Sequence, residues 1–231
     1  MVKPLEILYQ DDCLIAINKP HGLLVHRSPI AADASEFAVQ LLRNQIGQKV
    51  YPVHRLDRKT GGVLLFALNE EVNRAMQQAF MNKDVTKKYL AIVRGFAPEK
   101  GTINYALTTE DGKVQDAITH YQKLRHFEIP VPFGKFDTSR YSFVEVNPET
   151  GRMHQIRKHF AHIFHPIIGD RPHGCNKQNK LFLEKWNMNT MLLHASELSF
   201  VHPVSQELMT IGASIQSDFE RVIVILNNLN S

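Results

Sequence analysis

Val53 to Asn69 reads VHRLDRKTGGVLLFALN, a short polar turn running into an apolar strand at Val63 to Leu68. Asp57 sits in the turn between Arg55 and Arg58, with His54 just before. A carboxylate held between guanidiniums stays ionised. That suits a nucleophile or an electrostatic stabiliser, not a general acid, which must keep its proton at neutral pH. The plain alternative is an Arg–Asp turn that only stabilises a loop. Thr60-Gly61-Gly62 then lets the backbone bend tightly into the strand.

Upstream of this stretch, Leu5 to Tyr9 and Cys13 to Asn18 are short apolar runs joined by Gln10-Asp11-Asp12, the pattern of a hairpin. Pro20 and Gly22 break regular structure in KPHGLLVHRS, where His26 and Arg27 serve equally well as ligand contacts or loop residues. Ser35 is placed to cap a helix running to about Ile46, with Gly47 closing it. Downstream, Asn69 caps a helix whose Val72, Ala75, Met76, Ala79 and Phe80 form one apolar stripe. Lys87 to Gly95 alternates as a strand, with Tyr89 beside two lysines. Three further strands are expected at Thr102 to Leu107, Ala117 to Leu124 and Tyr141 to Val146, the last two separated by a long hairpin loop. His154 to Phe164 reads as a helix ended before Pro166, with Ile156, Phe160 and Ile163 on its apolar face. Arg157, Lys158, His159 and His162 are expected elsewhere on its surface. Met191 to Pro203 and Glu207 to Ile211 read as strands, and Ser217 to Leu229 as a closing helix. Strands outnumber helices and are mostly joined by short turns. The expected class is therefore α+β, one domain over residues 1–231, with a mixed, largely antiparallel sheet and helices packed on it.

The formal charge is only +4, so basic character must be local. Residues 150–180 carry six Lys or Arg, five His and one acid, Asp170. Such a patch faces a polyanion, nucleic acid first. The histidines His154, His159, His162 and His165 invite a metal reading, but the stretch has no HExxH and no paired carboxylate. Arg157, Lys158 and Arg171 there would also repel a cation. No metal site is expected. The chain has no GxSxG, GxxxxGK[ST] or GxGxxG, so neither an elbow serine nor a nucleotide cofactor is expected. Two cysteines without framework spacing, an N-terminus with acids where a leader needs its apolar core, and no long apolar run point to a cytoplasmic protein with no membrane segment.

KPHGLLVH, HRLDRKTGG, KKYLAIVRG, GRMHQIRKH, HPIIGD and LLHA occur here in the order found in RluA-type pseudouridine synthases, and the chain resembles that family over most of its length. The resemblance implies an antiparallel-rich mixed sheet with a cleft crossing it, and no metal or organic cofactor. It places the catalytic carboxylate at Asp57, the active-site tyrosine at Tyr89 and the arginine that pairs with the carboxylate at Arg157. Arg55 then helps fill the space left by the flipped base, and Leu192 or Leu193 packs beneath the uracil. His54, Arg58, His154 and Lys158 complete the expected substrate contacts. From the short start, the extra N-terminal RNA-binding domain of many members is not expected here. That start, the LVHRS segment and the loop EIPVPFGKFDTSRY are most similar to members that modify uridine 65 of certain tRNAs. A tRNA substrate and a monomer are expected. The alternatives are a synthase acting on ribosomal RNA and a non-catalytic RNA binder of the same fold. One departure stands out: Gly61 replaces the usual Ser of DRxTSG, from which a looser loop is expected.

Overall fold

A computed structural model describes residues 4–26 and 36–230. Ser35 and Arg27, singled out above, lie outside the described residues. The chain forms two compact units, Met1–Lys87 with Ala195–Ile215, and Lys88–His194 with Gln216–Ser231. The elements are, in chain order, β1 (Glu6–Gln10), β2 (Leu14–Lys19), α1 (Ala38–Ile46), β3 (Tyr51–Pro52), β4 (Gly61–Ala67) and α2 (Glu70–Asn82). Next come β5 (Thr86–Arg94), β6 (Lys100–Asn104), β7 (Leu107–Thr108), β8 (Val114–Gln115), β9 (Ile118–Ile129) and β10 (Ser139–Pro148). Last are α3 (Gln155–His162), α4 (Asn176–Trp186), β11 (Leu193–Val201), β12 (Leu208–Gly212) and α5 (Ser217–Leu229). The chain is α+β, as its sequence implies. Every pair of these strands with a described register runs antiparallel.

In the first unit the strand order is β1-β2-β4-β11, with β12 on β11 and β3 on β4. Every residue of β2 and β4 is buried, which is why both read as unbroken apolar runs rather than alternating ones. One face of the sheet, Leu14, Ala16, Val63, Leu65 and Ala67, packs with Val72 and Met76 of α2 and with Leu198, Phe200 and Ile211. Each large side chain so buried contributes about 1.5–3 kcal/mol. Helix α2 starts where expected, because Asn69 Oδ1 accepts the Val72 N–H at 2.9 Å. Helix α1 ends at Gly47, whose φ of 70° supplies the left-handed stop.

In the second unit the order is β5-β10-β9-β6. The β9–β10 hairpin keeps register from Thr119↔Pro148 to Ser139↔Ile129, slipping once at Phe143/Val144. Ala91, Val93, Val144 and Val146 pack against Ile156 and Phe160 of α3. Helix α3 buries more than its apolar stripe. Gln155, Arg157 and His159 are buried too, against the expectation that Arg157 and His159 lie on the surface. The reason is polar pairing inside the fold, described below. Helix α4 has no counterpart in the sequence reading. It docks by Phe182, edge-on to Tyr141 at 5.2 Å, and by Gln178, which accepts the Tyr141 hydroxyl at 2.7 Å.

Candidate active site

The expected site residues divide between the two units. Asp57, His54, Arg55 and Arg58 share one turn in the first. Tyr89, Arg157, His154, Lys158, Leu192 and Leu193 belong to the second.

The turn around Asp57 is tied to the loop after β2. Gly22 N–H donates to the Arg58 carbonyl at 2.8 Å, and Arg58 Nε donates back to Gly22 O at 3.1 Å. His21 Nδ1–H reaches Lys59 O at 2.7 Å. Between the two loops lies Lys19, fully buried, its Nζ donating to the carbonyls of Pro20, Leu23 and Arg58 at 3.0, 2.8 and 3.2 Å. Burial pushes this ammonium down to about 7, while the charge of Asp57 pulls it back up. Three carbonyl acceptors act in the same sense as Asp57, because only the charged form has three protons to give. Lys19 opens the stretch KPHGLLVH, whose pattern assigns it no role. Its burial was not legible there, since lysines are rarely found inside.

The turn also has a fixed inner side. His54 is half-buried, its ring stacks on Phe80 at 5.0 Å, and its Nε2 accepts the Leu65 N–H at 3.1 Å. Burial, with the nearby charge of Lys87, pushes His54 down to about 4, so it is neutral at physiological pH. Arg55 and Arg58 are exposed. Gly62 enters β4 with φ of 109°, and a Cβ there would lie 2.1 Å from the Ala195 carbonyl oxygen. The close approach that demands glycine is at Gly62. Gly61, which departs from the family's Ser, is the buried first residue of β4.

In the second unit, Tyr89 is half-buried on β5 opposite Val146 and packs against the core beneath α3. Arg157 points inward and grips Asp170, Nε to Oδ2 and Nη2 to Oδ1, both at 2.8 Å. Asp170, the lone acid of the basic stretch, is therefore the partner of the arginine expected at the site. Leu192 and Leu193 are buried, Leu192 exchanging backbone bonds with Ile92 and Ile168. His154 enters α3 with φ of 57° and pairs with His173, ring nitrogens 3.0 Å apart. Lys158 is half-buried beside it.

The histidines of α3 do not converge on a metal. His159 donates Nε2–H to Tyr105 O and accepts the Thr119 hydroxyl at Nδ1, both at 2.9 Å. Burial lowers its affinity for a second proton. His162 stacks on Tyr105, and His165 donates to Arg94 O. Among the described residues, one other group brings ligand atoms within 4.8 Å of each other: Asp11, Cys13 and His202. There His202 Nδ1 accepts the N–H groups of Val204 and Ser205, so Nε2 carries the proton and donates it to Asp11 Oδ2 at 2.9 Å. Burial pushes the Cys13 thiol up to about 11. With Nε2 already donating its proton to Asp11 and the thiol uncharged, the group is a hydrogen-bonded clasp.

A profile of the family described as RNA pseudouridylate synthase matches residues 13–162. The chain belongs to this family. It is 47% identical to tRNA pseudouridine synthase C of Vibrio vulnificus, over 94% of each chain. With the protein of the same name from Haemophilus ducreyi it shares 48% identity, over 94% of this chain and 93% of that one. Among solved structures, human RNA pseudouridylate synthase domain containing 4 superposes with a TM-score of 0.72 at 26% identity, covering 96% of this chain and 93% of that one. Among the described residues no helix is long and apolar enough to cross a membrane.

Proposed function

We propose that this protein is a tRNA pseudouridine synthase that isomerises uridine 65, with Asp57 as the catalytic carboxylate. It works in the cytoplasm as a monomer and needs no metal or organic cofactor. The reaction breaks the bond between uracil N1 and C1′, turns the base, and joins C5 to C1′. N1 gains a proton and C5 gives one to solvent. The base must leave its stack to react, at a cost of roughly a few kcal/mol, which phosphate contacts from the basic stretch help offset.

The observation that carries this reading is the setting of Asp57. Its turn is closed by the Thr60 N–H on its own carbonyl at 3.0 Å and locked to a loop whose buried Lys19 attracts its charge. Attack on the sugar, addition to the base and proton removal from the ribose all begin from an ionised carboxylate. Tyr89 stacks on the uracil and Arg157 orients the carboxylate, a role suited to a planar fork already held by Asp170. Arg55, Arg58, His154 and Lys158 meet the RNA, while neutral His54 fixes the turn to β4. Leu192 and Leu193 supply the apolar floor.

The test is tritium release from RNA labelled at uridine C5, with wild type and Asp57→Ala side by side. Release from tRNA by wild type and none by a folded Asp57→Ala supports the whole reading, and base mapping then locates the position. Release from ribosomal RNA alone would keep the chemistry and overturn the substrate. Release from neither, with RNA still bound, would leave a binding protein.

A further inference from the structure

One feature of the second unit is not used by the chemistry above. An open groove of about 410 Å³ is lined by Tyr105, Leu107, Thr108, Lys158, His162 and His173, with no carboxylate in its lining. Its wall is a pair of stacked rings, Tyr105 and His162, 3.7 Å between centroids and 16° from parallel. Tyr105 is 45% exposed, yet it is not loose. Its N–H donates to Ala117 O at 3.2 Å, and its carbonyl takes the proton of buried His159 at 2.9 Å. Thr119, Gln155 and Thr150 continue that buried chain of bonds, which fixes His159 and through it Tyr105. A large aromatic face is thus presented to solvent from a backbone clamped on both sides. Lys158 stands one helical turn before His162 on α3, so ammonium and ring stack share one side of the groove. His173 closes the far side, held by His154 and by its own N–H to Asp170 Oδ1.

We infer that this groove binds a second, unpaired nucleotide of the RNA substrate, its base against the Tyr105–His162 pair and its phosphate between Lys158 and His173. The inference rests on the RNA-modifying reading above and adds a contact that no part of the uridine chemistry requires. Three properties select this occupant. A rigid exposed aromatic face suits a nucleobase, which stacks whatever its identity. A lysine and an imidazole pair without a carboxylate suit a phosphate. The groove is also too open to enclose a free small molecule, but a nucleotide tethered in a longer strand needs no enclosure.

The experiment measures the Kd of unlabelled tRNA by filter binding across a salt series, for wild type, Tyr105→Ala, Tyr105→Phe, His162→Ala and Lys158→Gln. Thermal unfolding confirms that each is folded. His162→Ala keeps the test decisive if Tyr105→Ala does not fold, because His162 is a surface residue. Loss of the stacking face is expected to weaken binding roughly 5- to 100-fold, with Tyr105→Phe close to wild type. Lys158→Gln is expected to lower the slope of log Kd against log salt by about one phosphate contact. Folded Tyr105→Ala or His162→Ala with wild-type Kd would overturn the groove. Tritium release by wild type separates the two readings. An active enzyme whose groove variants bind normally loses only this inference, whereas an inactive wild type whose groove variants bind weakly loses only the chemistry.

Discussion

Arg157 and Asp170 meet in two parallel hydrogen bonds of 2.8 Å, with both side chains almost wholly out of solvent. Two charges removed from water are balanced by their pairing in good geometry, with the His173 N–H as a further donor to Asp170, so removing either is costly. Asp170→Asn is expected to lower stability by about 3–5 kcal/mol, because it strands a buried guanidinium. In a chain of this length that is a fall in Tm on the order of 10 °C. Joint replacement by Arg157→Met and Asp170→Leu should recover much of the loss, although not the activity. A double variant no more stable than Asp170→Asn would show that the pair is not what holds α3 in place.

Lys19 makes a pH-dependent contribution of definite sign. Its folded value of about 7 lies below the ordinary 10.5. Between these limits the unfolded chain holds a proton that the folded chain lacks, so stability rises with pH from 7 to 10.5. Below 7 both states are protonated and the slope from this residue vanishes. Urea midpoints at pH 7 and pH 9 for wild type and Lys19→Met should reveal the difference. Identical slopes would mean that the three carbonyls keep the ammonium charged across this range.

Gly62→Ala combines two penalties. Its φ of 109° strains any other residue, and the new methyl would meet the Ala195 backbone. Together these are expected to cost at least about 2 kcal/mol. Gly61→Ser, which restores the residue usual in this family, should cost less. Denaturant unfolding of the two variants compares them directly, and equal losses would refute the distinction.

Phe164 follows α3 with φ of 63° and a side chain 87% exposed. Little burial is lost on replacing it, and Asn tolerates the left-handed conformation better. Phe164→Asn is expected to raise stability by about 0.5–1 kcal/mol, or Tm by about 2 °C. A fall in Tm would show packing of the ring that its exposure does not reveal.

Much of this was legible in the sequence, for physical reasons that differ by element. The HRLD turn, the capped helix α2 and the terminal helix α5 were readable because local chemistry fixes them: a cap, a glycine pair, a 3.6-residue stripe. Helix α4 was not. NKQNKLFLEKW is mostly polar, and its place depends on Phe182 and Gln178 meeting Tyr141, some 40 residues earlier in the chain. The pairing of Arg157 with Asp170 crosses a helix end and a turn, so neither spacing nor periodicity announces it. His159 looked like a surface histidine because its partners, Thr119 and the Tyr105 carbonyl, come from distant strands. Burial of polar residues is decided by such partners, and single-sequence patterns carry little trace of them.

The first unit takes its last two strands from Ala195–Ile215, more than a hundred residues after Lys87. During synthesis, β4 is complete long before its neighbour β11 exists. The ribosome therefore releases an apolar strand whose edge is covered only in part, by β3, and must make residues 88–194 before β11 can close the rest. At rates of about 5–20 residues per second the wait is several seconds, far longer than a hairpin needs to form. The antiparallel hairpin of β9 and β10, local in the chain, can assemble during that interval. The unit that carries Asp57 thus stays incomplete through most of synthesis, and a chain truncated before Ala195 would be prone to aggregate at β4 rather than merely inactive.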